Sequence, residues 1–354
     1  MNNEFFFRVE FSLKTAGILL FSCWISACSY SKVDGDSETY EIPITQQSIT
    51  NITNRVADWQ LSHLHDFEGH IRTFIERSRD PREWHQGTFF KGLADWAMES
   101  GDEEKLLWLR DVGSSQEFKL GDRIYHADDH VVGQYYLALY DYFSDPVMFE
   151  PTQRQFDFIL SAPSDVPLDF NLPGVDEGYY KQCLKRWCWS DALFMSPPVW
   201  TKLTRVTGNH DYVDFANREF WLTVEYLFDK DSGLFFRDSR FFSKRESNGE
   251  KIFWSRGNGW VFSGLTDIID NLPNDHPDLE KYTELYLAMA AALLPLQTEE
   301  GFWPVSLRAG DLYPVPETSG TAFFIAGLGW GISSGLLDQD TYLSSVILGW
   351  SALT

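Results

Sequence analysis

Apolar residues recur at helical spacing along most of the 354-residue chain. From about residue 46, Ile49, Ile52, Val56 and Trp59 follow a helical period, which is typical of an amphipathic helix. The pattern then returns in pairs of segments that are separated by short polar turns. The predicted pairs cover 85–100 with a helix around 106–112, 130–143 with 147–162, 191–207 with 211–229, 257–272 with 277–297, and 320–337 with 339–353. Because such turns join antiparallel neighbours, we expect five helical hairpins after one leading helix.

The two helices of each predicted pair differ in polarity. First members are small and apolar, as in 321–330 with its Gly327, whereas second members carry charges such as Asp278, Glu280 and Lys281. Helices that are apolar on all sides belong inside a fold, and amphipathic helices lie at its surface. The pattern therefore predicts an all-α fold, an (α/α)6 toroid in which an inner ring of helices is wrapped by an outer ring.

A complete toroid of six hairpins has twelve helices, but the pattern yields eleven. Either the last helix is missing at the C-terminal end, or a short helix lies between residues 66 and 82, where apolar residues recur. We expect one catalytic domain over residues 46–354. Long loops precede the inner helices, so functional side chains are expected together at one mouth of the toroid.

The N-terminal segment has the pattern of an export signal. Arg8 and Lys14 precede an apolar run at 16–24, which is too short to span a bilayer. The run ends in Ile25-Ser26-Ala27-Cys28, which resembles the bacterial lipobox. We expect a signal peptide over 1–27, a lipid on Cys28, a polar tether over 28–45, and an exported lipoprotein in the periplasm or outer membrane. A plain secretory signal is the alternative.

Two cysteines remain in the predicted domain. Cys183 and Cys188 could be oxidised in an exported protein, although one close pair does not make a disulfide framework. No histidine stands beside them at zinc-like spacing, so the sequence predicts no metal site.

Composition narrows the classes of ligand. The formal net charge of −23 argues against nucleic acid, whose binding depends on neutralising phosphates with Lys and Arg. It does not exclude an anionic substrate, because only the local charge of a cleft matters there. Aromatic residues make up 16% of the chain, and such rings often line carbohydrate clefts.

Distinctive residues stand where the inner helices begin. Asp191 is a lone carboxylate among aromatic and apolar neighbours, which is the setting of a proton donor, although it could instead cap the helix that follows. The five starts read Trp84-His85-Gln86-Gly87, His126-Ala127-Asp128-Asp129, Trp189-Ser190-Asp191, Trp254-Ser255-Arg256-Gly257-Asn258-Gly259-Trp260 and Pro316-Glu317-Thr318-Ser319-Gly320-Thr321. Carboxylates, an arginine and indoles at one mouth suit sugar chemistry.

These motifs together resemble the unsaturated rhamnogalacturonyl hydrolases of glycoside hydrolase family 105, which are related to the unsaturated glucuronyl hydrolases of family 88. The resemblance extends over about residues 46–354 and rests on His-Ala-Asp-Asp before Gly133, Trp-Ser-Asp-Ala-Leu-Phe-Met, and Arg-Gly-Asn-Gly-Trp. It implies an (α/α)6 barrel that acts on 4,5-unsaturated uronyl oligosaccharides made by polysaccharide lyases. It implies no cofactor and no metal, because the substrate already carries a reactive double bond.

The resemblance also assigns roles to residues. Asp191 would protonate C4 of the unsaturated ring and help to activate water, and Asp128 would assist it, with Asp129 the less favoured partner. Arg256 would face the ring or a carboxylate. Further substrate contacts are expected from Trp189, Trp260, His126, Arg237, Trp84 and His85.

Simpler interpretations remain for these residues. Asp128 and Asp129 could cap a helix, Arg256 could form a structural ion pair, and the histidines could be ordinary loop residues. One departure from the family concerns the segment Gly-Leu-Phe-Phe at 233–236. It is followed by Arg237 where many family members have a histidine, and a permanent cation there would alter the contact with the sugar in the next subsite.

Two other functions fit the same features. The protein could be a surface lipoprotein that binds glycans without turnover, or another enzyme on the same toroid, such as a conventional glycosidase or a uronate lyase.

Overall fold

The computed structural model describes residues 44–64, 80–170 and 183–354. The leading helix α1 spans Gln46–Ser62 and is followed by a series of helical hairpins. The remaining helices are α2 (Trp84–Ser100), α3 (Glu103–Ser115), α4 (Ala127–His130), α5 (Val132–Phe143), α6 (Glu150–Ser161), α7 (Ala192–Met195), α8 (Pro197–Thr207), α9 (Asp211–Leu227), α10 (Ser255–Asn271), α11 (Leu279–Leu293), α12 (Thr318–Ser333) and α13 (Gln339–Leu353). Strands β1 (Phe228–Asp229) and β2 (Leu234–Phe235) form one short antiparallel pair.

The five predicted hairpins are confirmed. Direct packing pairs α2 with α3, α8 with α9, α10 with α11, and α12 with α13, whereas α5 and α6 are joined through the 3-10 turn Pro146–Met148, which packs on both. The first members pack on one another in the order α2, α5, α8, α10, α12 and form the inner layer. Every residue of α12 from Ser319 to Ile332 is buried, whereas α11 buries one face only. Polarity therefore sorts the helices into inner and outer layers, as their sequences predict.

Local signals set the ends of the hairpin helices. Gly101 and Gly208 end α2 and α8 in the left-handed region, at φ values of 71° and 73°. The side chains of Asp102 and Asp338 accept hydrogen bonds from the backbone N–H groups of Lys105 and Thr341, and so cap α3 and α13. These turns were recognisable in the sequence because their signals lie within a few residues of one another.

Two of the predicted inner helices begin with a separate short turn. The segment predicted as one helix over 191–207 divides into α7 and α8, because Pro197 and Pro198 cannot donate the backbone hydrogen bonds that would continue α7. The helix predicted from 130 is likewise preceded by α4. Counting each divided helix once, the described residues contain the eleven helices that the sequence predicts. The consequence is that Asp128 and Asp191 stand on short turns at the mouth.

Several predictions fall on parts of the chain outside the described residues. The signal peptide, Cys28 and nearly all of the tether precede residue 44, and most of the proposed short helix lies at 65–79. These stay predictions. Within the described residues, no helix is both long and apolar enough to cross a membrane.

A disulfide joins Cys183 and Cys188 in the loop before α7. The enclosed segment is held to α9 because Arg186 Nε donates a hydrogen bond of 2.8 Å to Glu219 Oε2. Of the two states that the sequence left open for this cysteine pair, the structure therefore has the oxidised one.

An ion pair with a buried lysine lies within the inner layer. Lys91 of α2 is 4% exposed, and its Nζ contacts Asp95 Oδ2 at 2.5 Å and Asp267 Oδ2 of α10 at 3.2 Å. Burial alone would lower the pKa of Lys91, but the two carboxylates together raise it. Lys91 and its two carboxylate partners line a cavity of about 40 Å³. The contact with Asp267 ties α2 to α10 across the layer.

Candidate active site

Asp191 is held at the mouth by the segment that precedes it. The Ser190 N–H donates to the carbonyl of Arg237 at 2.9 Å, and Thr223 Oγ1 donates to the carbonyl of Trp187 at 2.7 Å. The loop that follows β2 and helix α9 therefore fix the backbone on which the carboxylate stands. Ser190 Oγ donates to Asp191 Oδ1 at 3.0 Å, which orients the carboxyl group itself.

The alternative interpretation of Asp191 as a helix cap is not supported by its hydrogen bonds. The residue occupies the position before α7, but its side chain accepts no cap hydrogen bond. Burial raises the pKa of this carboxyl above its ordinary value, and the charges of Arg237 and Arg256 oppose that rise. A carboxyl in this setting can hold a proton and donate it, which is what acid catalysis requires.

The structure distinguishes the two neighbouring acids of the His-Ala-Asp-Asp motif. Asp129 is buried, pairs with the Arg123 guanidinium and accepts the Arg123 N–H at 2.7 Å. The Asp128 side chain is mostly buried and keeps only 19% of its surface exposed. This burial, together with the charge of Asp191, raises the pKa of Asp128 to about 8. Asp129 is therefore paired with Arg123, whereas the pKa of Asp128 depends on the negative charge of the neighbouring Asp191.

Helix capping does not explain the acids of this motif. The residue at the cap position of α4 is His126, and it makes no side-chain cap hydrogen bond. The His126 ring is 3% exposed and lies with its Nδ1 3.6 Å from Asp129 Oδ1 and 3.9 Å from Asp128 Oδ2. His126 thus lies between the two carboxylates, near the reacting centre.

Arg256 lies at the start of α10 and faces the start of α12. Its Nη1 donates to Ser319 Oγ at 3.3 Å and lies 3.9 Å from Glu317 Oε1, while its guanidinium carbon is 4.2 Å from the centre of the Trp254 ring. Glu317 caps α12, since its Oε2 accepts the Gly320 N–H at 2.5 Å. Glu317 is therefore a helix cap, and the same residue also supplies an acidic neighbour for Arg256.

The predicted aromatic contacts fall into an accessible group and a buried group. Trp84 and His85 are half-buried and stack with ring centres 3.8 Å apart. Trp189 is 8% exposed and lies 5.2 Å from the His126 ring. Trp260 is only 1% exposed, and its edge meets Trp84. This burial favours a supporting position for Trp260 behind Trp84 over the sugar-facing wall that the resemblance implies.

Sequence reasoning did not single out Trp254 and Asn258 as separate contributors. Both arginines at the mouth lie over the Trp254 ring, with the guanidinium carbons of Arg237 and Arg256 at 5.5 Å and 4.2 Å from the ring centre. Asn258 is fully buried and bonds both the N–H and the carbonyl of Phe235, at 2.7 and 3.1 Å. Asn258 of the arginine motif therefore also ties α10 to β2. In the sequence, the only sign of this role is the position of Asn258 inside the motif.

Gly257 is required by the close packing of the arginine motif. A Cβ atom at this position would lie 2.8 Å from Trp254 Cε3 and 3.0 Å from Ser190 Oγ. Any larger residue at 257 would therefore push against the Trp254 indole and against the Ser190 hydroxyl that orients Asp191. In the described part of the chain, no group of three or more His, Cys, Asp or Glu side chains is arranged to hold a metal ion.

The raised pKa of Asp128 predicts how stability depends on pH. An unfolded Asp128 ionises with its ordinary pKa of 3.8, whereas the folded protein keeps the proton up to about pH 8. This contribution to stability is therefore present below pH 3.8 and is lost as the pH rises towards 8. We expect Asp128→Asn to become more stable relative to the original protein by up to about 1.4 kcal/mol per pH unit between about pH 5 and 7.

Urea unfolding of both proteins at several pH values measures this difference. The matched control is Asp111→Asn, because Asp111 is 75% exposed and should show no such trend. A pH-independent difference for Asp128→Asn would contradict the proposed burial of a protonated carboxyl.

Comparison with known proteins agrees with this arrangement. The profile of Glycosyl Hydrolase Family 88 matches residues 52–354. A relative from Alteromonas sp. (strain LOR), named unsaturated 3S-rhamnoglycuronyl hydrolase, is 39% identical over 316 residues, which cover 87% of this chain and 76% of the relative.

Two solved structures show the same fold. A glycosyl hydrolase family 88 protein from Bacteroides vulgatus has a TM-score of 0.65 and 25% identity, with 83% of this chain and 84% of the other covered. A protein named as a polysaccharide lyase has a TM-score of 0.67 and 25% identity, with 83% and 82% covered. The match of the family profile to most of the chain shows that this protein belongs to Glycosyl Hydrolase Family 88.

Proposed function

We propose that the protein hydrolyses oligosaccharides that end in a 4,5-unsaturated uronic acid. The observation that carries this proposal is the pair of neighbouring carboxyls with raised pKa values, Asp128 and Asp191, of which Asp191 is acted on by the positive charges of Arg237 and Arg256. A proton donor next to fixed positive charge suits a substrate that is protonated at carbon and carries a carboxylate.

The chemistry begins with the enol ether of the unsaturated ring. Asp191 gives its proton to C4, and C5 becomes an oxocarbenium-like centre. Water adds to C5 while a carboxylate takes up its proton, so the acid is regenerated. The resulting hemiketal opens to a ketone at C5, and the hemiacetal at C1 releases the neighbouring sugar as an alcohol. The net change is the addition of one water molecule across the double bond, followed by loss of the leaving sugar.

Substrate binding itself would favour the protonated form of Asp191. In the unliganded site, Arg237 and Arg256 both oppose the rise in the Asp191 pKa. A bound uronate carboxylate would neutralise part of their charge, and the pKa of Asp191 would rise further. The protonated fraction of Asp191 would therefore be largest when the substrate is bound.

Loss of ultraviolet absorbance tests this function directly. The conjugated double bond of a lyase product absorbs in the ultraviolet, and its hydration should abolish the absorbance and release the next sugar. The name of the Alteromonas relative makes an unsaturated glycuronate linked to rhamnose the first substrate to assay. Saturated glycosides of the same sugars serve as the control and should remain intact. No loss of absorbance with any unsaturated uronide would exclude the proposal.

A lyase is the second candidate, because one structure with this fold is named as a polysaccharide lyase. A lyase creates the unsaturated bond, so intact polysaccharide would gain absorbance upon incubation. Saturable binding without any change in absorbance or products would instead identify a binding protein.

A further inference from the structure

We propose that the buried pair His130 and Ser196 positions the two catalytic carboxyls by fixing the distance between the turns α4 and α7. This inference rests on the proposed function and adds two positioning residues to that site. Asp128 lies within α4, which ends at His130, and Asp191 immediately precedes α7, which ends one residue before Ser196. A hydrogen bond between His130 and Ser196 therefore joins the two chain segments that carry the acids.

The hydrogen-bond partners of the His130 ring assign its tautomer. Nε2 lies 2.8 Å from the Ile124 carbonyl, which can only accept, so Nε2 carries the ring hydrogen. Burial lowers the pKa of His130 to about 4, so the ring is neutral at neutral pH. Nδ1 is then an acceptor, and Ser196 Oγ donates to it at 2.6 Å. The bond between the two segments therefore runs in one direction, from the hydroxyl to the ring.

The surrounding side chains hold this pair in one geometry. His130 is 1% exposed, and Ser196 is fully buried. Ser196 Oγ also accepts a hydrogen bond of 3.1 Å from Trp200 Nε1, which orients the hydroxyl. The Phe156 ring meets the His130 ring with centres 5.0 Å apart and stacks on Trp200 with centres 3.7 Å apart. Because such a closely packed pair cannot reorient freely, the position of one turn constrains the position of the other.

The two turns depend on contacts of this kind because each is only four residues long. A single helical turn is not stable by itself, so packing decides where it lies. Gln134 supplies a second connection, since its Nε2 donates to the buried Phe194 carbonyl at 2.8 Å. With this second hydrogen bond in place, loss of the bond between His130 and Ser196 should loosen the turns without unfolding the protein.

The spacing of the turns matters because the two acids act on each other. Burial raises the pKa of Asp128, and the charge of Asp191 raises it further. The other charges that act on the two acids are Glu83, Arg123, Asp129, Arg237 and Arg256. Repulsion between two carboxylates weakens with distance, so a wider spacing between α4 and α7 should lower the higher pKa of the pair.

Substitutions that keep one side of the His130 ring test the bond to Ser196. In His130→Asn, the amide oxygen replaces Nδ1 and can still accept from Ser196. In His130→Gln, the amide nitrogen replaces Nε2 and can donate to Ile124, but the bond to Ser196 is lost. We expect His130→Gln and Ser196→Ala to lower kcat about ten- to a hundredfold with little change in KM, and His130→Asn to retain most of the original kcat.

The pH profile distinguishes positioning from a purely structural role. In Ser196→Ala the alkaline limb of kcat/KM should move to lower pH, because acids that lie farther apart lose their last proton more readily. A variant that is merely less stable would not show this shift. Thr201→Val is the matched control, since it also removes a buried hydroxyl, one that donates to the Pro198 carbonyl of its own helix at 3.1 Å. Its kcat and pH profile should equal those of the original protein.

A stability measurement tests the same bond without any substrate. In a Ser196→Ala background, the stability that Asp128→Asn gains with rising pH should be smaller than in the original background, because the pKa of Asp128 is then less raised. Equal gains in the two backgrounds, or an unchanged pH profile in both Ser196→Ala and His130→Gln, would overturn the positioning role and leave the proposed function intact. Absence of turnover on every unsaturated uronide would instead overturn the proposed function, and the stability measurement would still decide the role of His130 and Ser196.

Discussion

Replacement of Asp191 by asparagine is expected to lower kcat/KM by about 10²–10⁴-fold, while the fold stays intact. An amide of the same shape can keep the Ser190 contact but cannot protonate C4. Because burial raises the pKa of Asp191, removal of its ionisable group should also leave the protein at least as stable at neutral pH. Loss of ultraviolet absorbance measures the activity, and thermal unfolding measures the stability.

The matched control for this variant is a true cap residue. Asp338 accepts the Thr341 N–H at 3.0 Å at the start of α13, so Asp338→Asn should keep the original kcat/KM and change stability only slightly. If Asp191→Asn retained the original turnover, Asp191 could not be the proton donor.

Replacement of Lys91 by methionine is expected to lower the free energy of unfolding by about 3–5 kcal/mol. The variant would leave Asp95 and Asp267 close together inside the inner layer without the cation that now lies 2.5 Å and 3.2 Å from them. Removing one partner of a buried ion pair is costly because the remaining charge is poorly solvated. Urea unfolding at neutral pH measures the loss.

Two further variants separate the charge from the packing around Lys91. Lys91→Met combined with Asp95→Asn and Asp267→Asn removes the three charges of this cluster and leaves Lys202, which lines the same cavity, paired with Asp141 at 3.2 Å, so much of the stability should be recovered. Lys119→Met is the control, because Lys119 and its partner Glu117 are 59% and 74% exposed, and solvent screens such a pair so that it contributes little to stability. An unchanged free energy of unfolding for Lys91→Met would show that the buried pair does not stabilise the fold.

The architecture could be predicted closely from local patterns. A helical period, a terminating glycine or a capping carboxylate acts within a few residues, so the five hairpins and their turns at Gly101 and Gly208 were evident in the sequence. Proline caused the main departure, because Pro197 and Pro198 divide a helix that the apolar pattern alone presents as continuous. The separation into inner and outer helices followed from polarity.

The site could be located from the sequence but not resolved into its contacts. Motif order placed Asp128, Asp191 and Arg256 at the starts of inner helices, and the structure brings them to one mouth. The sequence could only rank the two adjacent acids by resemblance. The structure separates them because Arg123, on the preceding loop, binds Asp129 and leaves Asp128 beside Asp191.

The sequence by itself determined the helical hairpins and the order of the inner helices, and it predicted the residues that would carry the chemistry. Only the tertiary structure decided which aromatic rings are accessible, that Trp260 is buried behind Trp84, and that Asp238 is bound by Arg240 and not by Arg237. The physical reason is the range of the interactions. Helix signals act between near neighbours in the chain, whereas burial and ion pairing depend on side chains from separate loops that meet only after the helices have packed.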